Sequence, residues 1–250
     1  MIKMKNFKSI TLALIFTVAV SSLIVSSLYA NETNQVTVNW KGALMNMMRE
    51  NDVTSKISLS ELKAIPHLYA VGQFENLKGE IQIFDGKPYN TIAKNNKVII
   101  DSTFDKNATI LVWAEVPKWK TIELDLKMTA TDEIEDFIET MAGRNGVNIY
   151  EPFPFMLEGT VNSLDWHVVD WDANDKVHSY EKYIKSGLNG TLNNSEVIMF
   201  GFFSSEHQGI ISHHSSRMHL HFKTKDGKLA GFVDKFDLNE KLILKVPDVR

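Results

Sequence analysis

The chain contains no cysteine. No disulfide can brace the fold and no thiol can serve as nucleophile or ligand, so stability must come from a packed core, with or without help from a metal. A basic excess is also missing: the formal net charge is −4 and the pI is near 6.1. Phosphate backbones are held by clustered positive charge, so nucleic acid is not an expected partner. Helical periodicity is scarce. What is abundant is apolar residues in short runs, and a 44% hydrophobic fraction argues for a globular chain rather than extended disorder.

The first thirty residues differ from the rest. Lys3, Lys5 and Lys8 precede an apolar run from Ile10 to about Val25, and small residues lead to Ala30. This pattern predicts a secretory signal peptide over residues 1–30, cleaved after Ala30 or Ser27, and export to the periplasm or the medium. Uncleaved, Ile10–Leu28 approaches spanning length and would hold the protein at a membrane. The remaining 31–250 is long enough for one large domain, with two halves near 31–150 and 151–250.

Three helices are expected. Trp40–Arg49 carries Leu44, Met47 and Met48 at helical spacing. "SLSEL" offers a capping box, Ser58 with Glu61, and Pro66 keeps that helix short. Asp132–Ala142 places Ile134, Phe137, Ile138 and Met141 on one face, with acids in its first turn and glycines at its end. The rest reads as strands: "HLYAVGQF", "GEIQIFDG", "KVIIDSTF", "ATILVWAEV" and "KTIELDLKM" before the long helix, then "FMLEGTV", "WHVVDW", "EVIMFGFF", "MHLHFKT", "LAGFVDKF" and "EKLILKV". The expected fold is α+β, two packed antiparallel or mixed sheets with few helices. Gly72–Asp85 and Gly159–Asp172 share spacing and apolar positions, which would set Glu80 and His167 at equivalent places in two related halves.

Four of the eight histidines fall in "SHHSSRMHLHFKTKDG". In a strand, His219 and His221 share one face while Met218, Leu220 and Phe222 share the other. Two imidazoles at i and i+2 on a rigid strand suit zinc or a neighbouring first-row metal, but a catalytic zinc site usually takes three protein ligands. His213 or His214, just upstream, can supply the third. Carboxylates such as Glu80, Glu158, Glu206 and Asp234 are available to orient imidazoles.

Three segments resemble the alpha-acetolactate decarboxylases: "LYAVGQFENLKGEIQIFDGKPY", "FPFMLEGTVNSLDWHVVDW" and "MHLHFKTKDGKLAGFVDKFDL". The resemblance implies zinc held by the H-x-H pair His219 and His221, with Glu80 as the active-site glutamate. It implies a small 2-hydroxy-3-keto acid as substrate, acetolactate going to acetoin and CO2, and is compatible with a homodimer. The sequence departs from the family pattern where a third ligand histidine is expected, since "GFV" puts Phe232 there. A family arginine and a C-terminal glutamate also have no counterpart. Arg217, of the same parity as His219 and His221, is the expected replacement for the arginine in binding the substrate carboxylate.

Overall fold

A computed structural model describes residues 35–125 and 131–249. The expected signal peptide lies outside the described residues.

In chain order the elements are β1 (Val38–Lys41), α1 (Leu44–Glu50), β2 (Ile57–Ser58), a 3-10 turn (Leu59–Leu62), β3 (Leu68–Phe74), a second 3-10 turn (Glu75–Leu77), β4 (Glu80–Phe84), β5 (Lys87–Pro88), β6 (Asn90–Lys94), β7 (Lys97–Asp101) and β8 (Asn107–Glu115). They continue with β9 (Trp119–Asp125), α2 (Thr131–Arg144), β10 (Phe153–Val168), α3 (Tyr180–Ser186), β11 (Leu188–Phe203), β12 (Met218–Thr224) and β13 (Ala230–Pro247). The first sheet runs β1-β8-β3-β4-β6-β7, with β2 on β8 and β5 on β4; the second runs β10-β11-β12-β13-β9. Because β10 also pairs with β13, the second sheet closes on itself. Every strand pairing named here is antiparallel.

The α+β reading with two antiparallel sheets and few helices is therefore what the chain adopts. The first sheet ends with Glu115 of β8, and the chain enters the second with β9, which joins the edge of β13. Two pairs of expected strands are single long ones. Phe153–Val168 is continuous through "GTVNSLD", whose polar residues lie along the strand instead of turning it, and Ala230–Pro247 is continuous through "DLNE". Register shifts between Gly159 and Val161, Val161 and Ser163, and Asp165 and Trp166 let the long strands bend. Gly72–Asp85, by contrast, is a true hairpin around the second 3-10 turn, so the internal similarity is not a repeated structure. Trp40 belongs to β1 and the helix begins only at Leu44, because Gly42 at φ +78° breaks the chain between them. The Ser58–Glu61 box forms, with the Glu61 carboxylate accepting the Ser58 N–H at 3.1 Å.

Packing follows the strand period. Leu220 and Phe222 of β12 join Phe155, Leu157 and Met199 in a core covered by Ile134, Ile138 and Ala142 of α2. Tyr69, Val71, Phe84 and Val112 of the first sheet meet Met156, Phe200 and Phe202 of the second, which holds the sheets face to face. Ile81 and Ile83 point away, into a core closed by Leu59 and Leu62. Alternation then forces Glu80 and Gln82 toward the second sheet.

Candidate active site

The polar residues that alternation turns inward meet between the sheets. Glu80, Gln82 and His221 are fully buried, and His219 is 1% exposed. From β4, Gln82 gives its amide hydrogens to Thr91 Oγ1 (3.2 Å) and the Tyr89 carbonyl, which leaves Oε1 facing His221 Nδ1 at 2.9 Å. That arrangement assigns the proton to His221 Nδ1 and frees the Nε2 lone pair. His221 Nε2 lies 3.2 Å from His219 Nε2. His219 Nδ1 is buried without a hydrogen bond of normal geometry; the Ile211 backbone lies beside it but does not satisfy it. Burial holds both rings neutral, pushing His219 down to about 4 and His221 well below the usual imidazole range. Gly201 fixes the position of this strand: a Cβ there would stand 2.1 Å from the His219 carbonyl oxygen.

These donors fit two positions of a zinc site. Two nitrogens bound at about 2.0–2.1 Å around tetrahedral zinc stand about 3.3–3.4 Å apart, close to the separation observed, and Gln82 orients one ring as outer partners of metal sites do. Among the described residues no set of three or more His, Asp, Glu or Cys side chains is arranged to hold a metal. Phe232 packs beside the pair, its ring centroid 5.2 Å from His221 and 5.7 Å from His219. His213 and His214 do not complete the set. Their rings pack against each other, tilted by 46° with centroids 4.1 Å apart, in the loop before β12, and His213 Nδ1 is engaged by Ser215 Oγ at 2.7 Å. His213 does line the mouth of the cavity, beside Tyr180.

Arg217 is also placed elsewhere. β12 begins at Met218, so strand parity does not extend to Arg217. Its guanidinium turns to α2, reaching Glu135 (3.1 Å), Glu139 (3.0 Å) and Asp136 (2.6 Å), and its backbone N–H donates to Glu135 as well. It is a clamp between β12 and α2.

Glu80 enters the site from the end of the hairpin turn. Asn76 and Leu77 at φ +59° and +52°, then Gly79 at +137°, turn the chain sharply enough to aim its carboxyl into the cavity. Oε1 accepts the Val169 N–H at 3.1 Å and Oε2 accepts from Gln73 Nε2 at 3.2 Å. Burial nevertheless dominates, over the opposing His167 charge and these hydrogen bonds, and pushes its pKa up to about 7. His167 of β10 faces it, with Nε2 3.9 Å from Glu80 Oε1. His167 Nδ1 donates to Asp234 Oδ1 at 2.7 Å, and the Tyr180 hydroxyl donates to the same oxygen at 2.7 Å. Burial alone would lower the His167 pKa; the hydrogen bond to Asp234 and the charges of Glu80 and Asp234 outweigh it and raise the pKa.

A narrow, mostly apolar cavity reaches Glu80, His167 and His219. Its walls include Leu44, Met47 and Met48 of α1, Leu77, Val169, Tyr183 and Phe232, and its polar end holds Gln73, Glu80, His167, Tyr180 and His219. Sequence reading marks Glu80, His167, His219, His221 and Asp234 but not Gln73, Gln82 or Tyr180. Gln82 was recoverable, two residues after Glu80 and so on the same face of β4. Tyr180 follows a loop whose path no local pattern gives.

A strand-borne imidazole pair and a buried glutamate thus lie between the two sheets. The family described as alpha-acetolactate decarboxylase matches residues 40–248, and the chain belongs to that family. Among solved structures it is similar to alpha-acetolactate decarboxylase from Bacillus subtilis strain 168, with a TM-score of 0.67 at 17% identity over 84% of each chain. The enzyme from Bacillus subtilis subspecies spizizenii gives 0.66 at 17% identity, covering 84% of this chain and 85% of that one. A Staphylococcus aureus protein of unknown function similar to alpha-acetolactate decarboxylase gives 0.64 at 14% identity over 84% of each. No curated protein matches by sequence. Family and fold support a carboxy-lyase.

Proposed function

We propose that the protein is a metal-dependent decarboxylase of small 2-hydroxy-3-keto acids, with 2-acetolactate, giving acetoin and CO2, as its substrate. The observation that carries this reading is the His219 and His221 pair, Nε2 atoms 3.2 Å apart, of which His219 lines a cavity that also holds Glu80.

His219 and His221 would hold the metal, zinc by their chemistry, with its remaining positions left to water or substrate oxygens. When bound, the metal supplies Lewis-acid stabilisation of negative charge developing on the substrate ketone. The bond between the carboxyl carbon and C2 breaks, CO2 departs, and the electron pair is delocalised as an enediolate. A proton must return to C2. Glu80, with a pKa raised to about 7, holds a proton over part of the neutral range and gives it up at little cost, which suits that task. The apolar walls keep water from the same carbon.

A second reading is favoured by Phe232: a homologue that binds a metal and a small hydroxy-keto acid without decarboxylating it. Metal content by mass spectrometry and acetoin formation from acetolactate distinguish the two. Near one zinc per chain with turnover, both lost in His219→Ala, supports the decarboxylase. Metal without turnover supports the second reading, and protein that neither carries nor takes up metal sinks both. Export and a homodimeric state belong to the same proposal; a secreted chain beginning near Asn31 and the mass in solution test them.

A further inference from the structure

We infer that His167, held in place by Asp234 and Tyr180, is the side chain that takes the carboxylate of the acid bound in this cavity. The inference rests on the reading of the cavity as an acid-binding site, but its test does not require turnover.

An acid entering the cavity needs a hydrogen-bond donor of positive character, because an unpaired buried carboxylate is strongly disfavoured. Among the described residues lining the cavity there is no lysine or arginine. Arg217 is committed to three carboxylates of α2. The other nitrogen-bearing side chains of the cavity are less suited: Gln73 donates to Glu80, His219 faces His221, and His213 is engaged through Nδ1 by Ser215 while burial and the neighbouring His214 disfavour its charged form. His167 differs from them. Its Nδ1 is anchored at 2.7 Å to Asp234, which also accepts from Tyr180, so the ring cannot turn away. Phe232 packs on the ring at 4.9 Å between centroids and fixes its plane. Nε2 is then directed at the cavity and at Glu80, which at 3.9 Å is beyond hydrogen-bond distance. The Asp234 carboxylate, buried against Nδ1, favours the doubly protonated ring, in which Nε2 is a charged donor.

The geometry also explains why the replacement is a histidine. Phe232 lies directly across from both His221 and His167 in the strand pairing, so its ring fills the space between them. A short planar donor already packed on that ring reaches the acid from β10 without displacing it.

The test uses the zinc-loaded protein and two unreactive probes of the same shape, 2-hydroxyisobutyrate and its neutral amide, titrated calorimetrically. A charge-assisted hydrogen bond predicts that wild type binds the acid about 10- to 100-fold more tightly than the amide. His167→Asn, which can keep the contact to Asp234 but lacks Nε2, should abolish that preference, and His167→Arg should restore part of it. Equal binding of acid and amide to wild type overturns the inference, as does an acid preference that survives in His167→Asn or failure to bind either probe. The wild-type comparison stands even where a variant folds poorly. Preference for the acid without acetoin formation would sink the decarboxylase and leave this inference standing; acetoin formation with the preference intact in His167→Asn would do the reverse.

Discussion

At the scale of single residues, Phe232 governs how firmly the site can hold an ion. It packs beside the imidazole pair, its ring centroid 5.2 Å from that of His221, and offers no ligand atom. With only two protein ligands the metal should be weakly held and easily lost to chelators. Phe232→His is expected to tighten zinc binding at least by the roughly 10- to 100-fold that even outer partners of a metal site are worth, read by titration against a competing chelator. An unchanged affinity would mean that the two nitrogens do not point at a metal. The imidazole pair itself was legible in the sequence because parity along a strand is rigid: His219 and His221 had to share a face. The same rule misplaced Arg217, since parity ends where the strand ends, one residue later at Met218. His213 and His214 misled for a related reason, because proximity along a loop says nothing about direction.

Among the elements, α2 and β12 are tied by Arg217 far more than by chance contact. Three carboxylates converge on one guanidinium that is only partly exposed, and Ser216 Oγ adds a 2.7 Å hydrogen bond to Glu135. Removing the cation leaves Glu135, 6% exposed, without its charge partner. Arg217→Met should therefore cost about 1–3 kcal/mol of stability, discounted from the fully buried case because Asp136 and part of Glu139 meet solvent. Denaturant unfolding measures this. The same variant should leave the affinity for 2-hydroxyisobutyrate unchanged, whereas a large loss would return Arg217 to the site. Most element types were readable from period and capping, but α3 was not foreseen, "SLSEL" forms only a 3-10 turn, and strand lengths were not legible. "VNSLD" and "DLNE" carry turn-forming residues, yet β11 and β13 hold the first extended from both sides, and β10 pairs with Asp237 and Leu238 of the second. Pairing across the sheet overrode local preference, and no local window could show that.

For the whole molecule, burying Glu80 makes stability depend on pH. The folded chain holds the Glu80 proton to about pH 7, while the unfolded chain releases it near the ordinary value of 4.5. The stabilising contribution is complete below pH 4.5 and is lost as the pH rises through 7, on the order of 3 kcal/mol across that window. In metal-free protein, Glu80→Gln should gain stability relative to wild type as the pH is raised from 4.5 to 8, followed by thermal or denaturant unfolding. A difference that stays flat over that range would show that the carboxyl is already ionised when folded. The two-sheet layout itself was visible in the runs of short strands. The closing of the second sheet, and the passage of β9 into it, depend on contacts between distant segments and left no trace in the sequence.

Gln73, Glu80 and Gln82 come from the first sheet, and His167, His219, His221, Phe232 and Asp234 from the second. During synthesis, a growing chain therefore possesses none of the assembled site until the ribosome has passed residue 234, and the last strand must then slide in between two already paired neighbours. No partly made chain holds the whole site.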